Sequence, residues 1–219
     1  MTKTVLFDLD GTLLDTERDF TQILNSQLAS HGLPAVTAPQ VRNTVSSGAR
    51  ALVKLGFGVD ETHHDFDAHL QELLDRYDVR IHQTECVLFP GIDNLLGALD
   101  AQEIPWGIVT NKPSRFTLPL VERFHRLQQS QVLICADQLA KSKPDPEGIL
   151  LACEKLACSP DNTLYVGDHP KDIEAARRAG AGSIGVRWGY IPDDLPIEDW
   201  EADWIINHPD DILDLATSP

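Results

Sequence analysis

Four short stretches of this chain place acids, hydroxyls or a lysine where apolar strands should end. The first is ValLeuPheAspLeuAspGlyThr, residues 5–12, which sets Asp8 and Asp10 one residue apart in an apolar run. Residues i and i+2 of a strand share a face, so the two carboxylates start side by side. They repel each other unless a cation or a shared proton relieves them. Gly11 then lets the backbone turn at once. A solvated strand end is the plain alternative. A calcium loop of the EF-hand type fails, because Leu13 stands where the turn glycine belongs and Asp19 where the bidentate glutamate belongs.

The second stretch is ThrAsnLysPro, residues 110–113. A hydroxyl and free N–H groups at a strand-to-helix junction suit a phosphate oxygen, although a simple capped turn reads the same way. The third is SerLysProAspPro, residues 142–146, where Lys143 precedes a proline that starts a helix. That placement holds the lysine over the crevice or leaves it exposed. The fourth is GlyAspHisProLysAspIle, residues 167–173. Asp168 again ends an apolar run, and Asp172 opens a helix, where the dipole favours an acid.

The elements that must position these groups are readable from apolar patterning. Short buried runs at Thr4–Phe7, Trp106–Thr110, Val132–Cys135, Leu164–Val166, Ser183–Val186 and Trp204–Ile206 read as parallel strands. Helical patterns lie between them at Ser114–Phe124 (with a kink expected at Pro119), Glu147–Leu156 and Asp172–Ala179. Strands alternating with helices predict an α/β fold, a doubly wound, Rossmann-like parallel sheet. In such a sheet ligands bind at the C-terminal strand ends, which is where all four stretches fall. Asp8 and Asp168 would then make a hard oxygen site suited to Mg²⁺, which also relieves the repulsion between the acids.

Residues 16–85 break the rhythm. They hold helical patterns at roughly Phe20–His31, Pro39–Leu55 and His63–His82 and no convincing strand. The expected division is a core of residues 1–15 and 86–219 with a helical insertion at 16–85.

Bulk composition narrows the partners. Of 219 residues, 18 are Lys or Arg and 34 are Asp or Glu, a net charge of −16. A field of that sign repels nucleic acid and anionic membranes, so an anionic small molecule needs local cations such as a divalent metal and Lys143. Cys86, Cys135, Cys153 and Cys158 form no CxxC pair and read as free thiols in a reducing compartment. The first strand begins too early for a secretory signal, and no apolar run is long enough to span a bilayer. The cytoplasm is the expected location. Monomer and dimer are not distinguished.

Taken together, PheAspLeuAspGlyThr, Thr110, Lys143 and GlyAspHisProLysAsp resemble the four motifs of the haloacid dehalogenase (HAD) superfamily, in the family's order. The insertion resembles that family's type 1 helical cap. SerSerGlyAlaArgAla, residues 46–51, looks like the phosphoglycolate phosphatase group. ValThrAsnLysProSerArgPhe, CysAlaAsp, SerLysProAspPro and GlyTyrIlePro are also similar to the sister group of N-acetylmuramic acid 6-phosphate phosphatases. The resemblance implies an Mg²⁺-dependent phosphatase in which Asp8 attacks phosphorus and forms an aspartyl-phosphate. Asp10 would move the proton. Thr110, Asn111 and Lys143 would bind phosphate, and Arg50 would reach the substrate from the cap. Mg²⁺ would sit on Asp8, Asp10 (through its carbonyl) and Asp168, with Asp172 orienting Lys143 or a metal-bound water. The resemblance implies 2-phosphoglycolate or N-acetylmuramic acid 6-phosphate as the substrate. A phosphosugar mutase and a non-catalytic phospho-ligand binder are the alternatives. One departure is His169, where relatives often carry Ser, Thr or Asp; no catalytic role follows for it.

Three further patterns carry no function. GlyAlaGlySerIleGly, residues 180–185, matches a dinucleotide fingerprint, but a helix precedes it and a strand follows, the reverse of what that site needs. Residues 61–69, rich in His and Asp, read as a charged helix face. Trp188, Trp200 and Trp204 read as packing residues.

Overall fold

The computed structural model describes residues 2–218. Six parallel strands form the main sheet: β1 (Thr4–Phe7), β4 (Trp106–Val109), β5 (Leu133–Ile134), β6 (Thr163–Gly167), β7 (Gly182–Val186) and β8 (Trp204–Ile206). Their spatial order is β5-β4-β1-β6-β7-β8. The chain runs outward from β1 on one side, then returns to build the other side. The reversal leaves a crevice beside β1, the position where doubly wound sheets bind ligands.

Side chains of β1 alternate between the two faces. Leu6 joins Val109, Ile134, Ile149, Tyr165 and Ala176 in one apolar layer. Val5 and Phe7 join Leu96, Ile108, Leu120, Val166 and Ile212 in the other. Burial on both faces is what a central parallel strand requires, and it explains why the sequence reads as an unbroken apolar run. The first layer is covered by α7 (Glu147–Leu156) and α8 (Pro170–Ala179), the second by α5 (Ile92–Ala101), α6 (Ser114–Arg123) and α9 (Asp211–Thr217).

Register aligns the exits. Phe7 pairs with Ile108 on one side and with Val166 on the other. The residues that follow these strands therefore leave the sheet at one edge.

The chain departs from that edge through β2 (Leu14–Asp15) and returns through β3 (Val87–Leu88), which pair antiparallel. Between them lie α1 (Glu17–Ser30), α2 (Ala38–Arg42), a short 3₁₀ turn (Val45–Ser47), α3 (Ala49–Phe57) and α4 (Phe66–Ile81). The single helix expected over Pro39–Leu55 is thus broken. Gly48 sits at φ +93° and ψ 175°, a conformation that ends any helix. Thr37 and Gln40 cap α2 reciprocally, fixing it as a separate element. Helix α4 starts at Phe66 instead of His63, because Asp60 holds a local turn by accepting from the Thr62 N–H.

His69 departs from the solvated helix face expected of residues 61–69. Its ring stacks on Phe57 at 3.8 Å, so it belongs to the packing of α3 against α4. All four cysteines are free, with Cys86, Cys135 and Cys153 buried. Trp200 packs against Ile173 and Ile197. Among the described residues, no helix is long and apolar enough to cross a membrane.

Candidate active site

Asp8 leaves β1 at the crevice. Lys143 reaches it from the loop before α7, with Nζ 2.9 Å from Asp8 Oδ1. That oxygen is buried and receives no well-angled hydrogen bond, so the contact is an ion pair with a coordination position to spare. Lys143 Nζ also donates to Asp172 Oδ1 at 2.7 Å and to Tyr165 Oη at 2.7 Å. Burial opposes the charge on Lys143, but Asp172 and Asp8 outweigh it and hold the ammonium well above its usual range. The Lys143 backbone is fixed by Asn111, whose amide oxygen accepts the Lys143 N–H and whose amide nitrogen donates to the Lys143 carbonyl.

Asp168 is fully buried at the end of β6. It accepts from the Thr12 hydroxyl at 3.1 Å, the Ser46 hydroxyl at 2.8 Å and the Tyr190 N–H at 2.9 Å. Burial above all, then Asp172 and Asp8, push its carboxyl up to about 8. Burial likewise raises Asp8, Lys143 pulls it back, and Asp172 adds to the rise, leaving it at about 6. Asp8, Asp168 and Asp172 each bring a carboxylate oxygen within 4.8 Å of the other two. Three converging acids, one with an unbonded buried oxygen, fit a small hard cation. Gly11 keeps this space open: it stands at φ +83°, and a Cβ there would lie 2.0 Å from Asp168 Oδ2.

Asp10 lies beside Asp8 but is held by different groups. Lys112 Nζ approaches its two oxygens at 3.0 and 2.9 Å, and the Thr16 hydroxyl donates to Oδ1 at 2.8 Å. The Thr110 hydroxyl oxygen accepts the Lys112 N–H, so its own proton is free for a ligand oxygen. Asp8, Asp10, Thr110, Asn111 and Lys112 form one wall of a cavity of about 710 Å³. The facing wall comes from the insertion and includes Phe20, Ser46, Arg50, Leu70 and Tyr77.

Every residue singled out from the sequence therefore falls at this crevice or on its cavity. Lys143 contacts Asp8 and Asp172, and Asp168 brings an oxygen within 4.8 Å of both acids. Arg50 lines the cavity but makes no contact with them; its guanidinium stands 3.9 Å from Glu61. Asp172 spends its oxygens on Lys143 and on the His169 N–H. His169 itself caps α8, its Nδ1 accepting from the Lys171 N–H. Burial, then Lys171, push its imidazole down to about 4, so the ring stays neutral and able to accept.

Residues 5–186 match the sequence profile of the haloacid dehalogenase-like hydrolases. The chain belongs to that family. An N-acetylmuramic acid 6-phosphate phosphatase of Pseudomonas aeruginosa is 44% identical over 218 residues, covering 97% of this chain and 94% of its own. A phosphoglycolate phosphatase of Xanthomonas campestris is 38% identical over 221 residues, covering 99% and 97%. The crystal structure of a predicted phosphoglycolate phosphatase from Haemophilus somnus matches with a TM-score of 0.87 at 28% identity, over 99% of this chain and 98% of that one. The family resemblance and the doubly wound fold read from the sequence both stand.

Sequence reasoning passed over Lys112, Thr12, Thr16, Ser46 and Tyr190. Lys112 sits inside a quoted motif, yet nothing local says that it, and not Lys143, pairs with Asp10. Tyr190 lies far along the chain. Its hydroxyl accepts from the Thr16 and Glu17 N–H groups and donates to Asp15 Oδ1.

Proposed function

We propose that this chain is an Mg²⁺-dependent phosphatase that hydrolyses a small phosphomonoester through an aspartyl-phosphate on Asp8. The convergence of Asp8, Asp10, Lys143 and Asp168 beside one cavity carries this reading. Residues 16–85 act as the cap and the remainder as the catalytic core.

An Asp8 oxygen attacks phosphorus while the bond from phosphorus to the ester oxygen breaks. Asp10, protonated for this step, gives its proton to the departing alkoxide. It then takes a proton from the water that attacks the phosphoryl-aspartate, releasing inorganic phosphate and Asp8. Lys112 and Thr16 hold Asp10 in place for both transfers. Thr110 donates its free hydroxyl proton to a phosphoryl oxygen, and Lys143 offsets the charge that gathers there. Asp172 positions Lys143. Asp8, Asp168 and the Asp10 carbonyl are the groups that would hold Mg²⁺, which supplies further charge neutralisation when bound.

The cavity supports a substrate larger than a two-carbon ester. A volume of about 710 Å³ is in the range that accommodates a drug-sized ligand. Of the two candidate esters we infer the bulkier, N-acetylmuramic acid 6-phosphate, and the relative in Pseudomonas aeruginosa is named for that activity. Among the described cap residues on the cavity none is His, Lys, Asp or Glu, which speaks against a mutase needing an acid or base there. Four free thiols suit the reducing cytoplasm.

The test is turnover of both esters with Mg²⁺, after chelation, and in the Asp8→Asn variant. We expect Mg²⁺-dependent phosphate release, a higher kcat/KM for the sugar phosphate, and a loss of at least about 10⁴-fold in Asp8→Asn. Absence of turnover with either ester, or an unaffected Asp8→Asn variant, rejects the reading.

A further inference from the structure

The cavity has a second cationic feature that the phosphate chemistry does not use. Arg115 lies in the first turn of α6, on the core side, and Arg50 lies in the first turn of α3, on the cap side; both line the cavity. Lys112 and Lys143, the other cations nearby, are committed to Asp10 and to Asp8 with Asp172. Arg115 has no carboxylate partner among the described residues. Its guanidinium instead lies 4.2 Å over the Phe116 ring, which holds the plane without neutralising it. Arg50 is engaged only loosely, because Glu61, 3.9 Å away, is held more closely by Lys54 at 3.1 Å.

An unpaired arginine is notable in a chain of net charge −16, where acids outnumber bases 34 to 18. Among the described residues, the only acids on the cavity are Asp8 and Asp10, and each already faces a lysine. The remaining wall is largely apolar and includes Phe20, Leu70, Leu74 and Tyr77. We propose that Arg115, with Arg50 opposite, is a second anion subsite that binds a carboxylate on the substrate, away from the phosphoryl group. Guanidinium forks match carboxylates bidentately. The ligand class is a phosphate ester whose apolar-faced body carries a carboxylate, such as a lactyl ether on an amino sugar. The subsite rests on the phosphatase reading above and adds how the substrate is chosen.

The experiment compares N-acetylmuramic acid 6-phosphate with N-acetylglucosamine 6-phosphate, which lacks the 3-O-lactyl ether and its carboxylate. Both are assayed with wild type, Arg115→Ala, Arg115→Lys and Arg50→Ala. Arg115→Ala should lower kcat/KM for the carboxylated ester about 10–100-fold, chiefly through KM. Turnover of N-acetylglucosamine 6-phosphate should stay within about twofold. Arg115→Lys should recover part of the loss, and Arg50→Ala should show a smaller defect of the same selectivity. A loss shared equally by both esters, or no loss with either, overturns the subsite while leaving the phosphatase intact. Absence of wild-type turnover with both esters overturns the phosphatase reading and the subsite with it.

Discussion

The sheet edge contributes charge to the cavity, and the helical insertion contributes hydrocarbon. On the sheet side stand Asp8, Asp10, Asn111 and Lys112; on the insertion side stand Phe20, Val45, Leu70, Leu74 and Tyr77, with Arg50 the one charged member among the described residues. The charged side is built on strand ends fixed by the register of β1 with β4 and β6. The apolar side is built on helices joined by a glycine turn and a capped bend. Rigid strands fix reacting atoms to fractions of an ångström, as bond-making demands. Helices on two thin connections can shift and accommodate different bodies. The reacting groups thus stand on the sheet side, while the apolar lining of the cavity comes mostly from the insertion.

That division breaks most visibly if a charge is removed from the sheet side. Lys143→Met leaves Asp8 and Asp172 facing each other in a buried site. Unfolding free energy should fall by about 3–5 kcal/mol in urea titrations without metal, and turnover should be lost. An unchanged urea midpoint would show that the buried lysine is not paired as described. Lys112→Ala should be milder, lowering kcat about 10²-fold with KM nearly constant, because Asp10 loses its orienting partner while ligand contacts persist.

On the insertion side the expected effects are smaller and of another kind. Gly48→Ala forces a side chain into a glycine-only backbone region, although a Cβ there meets nothing within 4 Å. The cost should be about 1–3 kcal/mol of stability, with KM rising more than kcat falls. Equal falls in kcat would blur the proposed division. The smallest effect concerns Glu72. Partial burial works against its ionisation, yet hydrogen bonds from His31, Arg76 and Gln27 outweigh this and hold the carboxyl at about 2. A carboxyl depressed when folded stabilises the fold above its unfolded pKa and loses that contribution as pH falls through the folded one. The stability gap between wild type and Glu72→Gln should therefore be below about 1 kcal/mol near neutrality and shrink below about pH 4.5. Activity at neutral pH should not change.

The same contrast explains what the sequence disclosed. Asp8, Asp168 and Lys143 were legible because each sits at or near a strand end, and a parallel sheet gathers such ends by topology alone. β8 and α7 fall where apolar spacing places them, at Trp204–Ile206 and Glu147–Leu156. The insertion was harder. Its middle helix was drawn through Gly48, since apolar spacing continues across a residue whose backbone does not. Ser46 and Tyr190 lie inside quoted motifs, yet their roles come from contacts spanning 122 and 22 positions of chain to reach Asp168. Arg115 was invisible for the same reason, because being unpaired is a property of its neighbours in space.

Tyr190 joins the crevice to the point where the insertion departs. Its N–H holds Asp168, and its hydroxyl grips Asp15, Thr16 and Glu17, where the insertion departs. A swing of the insertion must therefore tug on the same residue that braces Asp168. The phenol ring works as a latch with two keyholes, one at the crevice and one at the hinge.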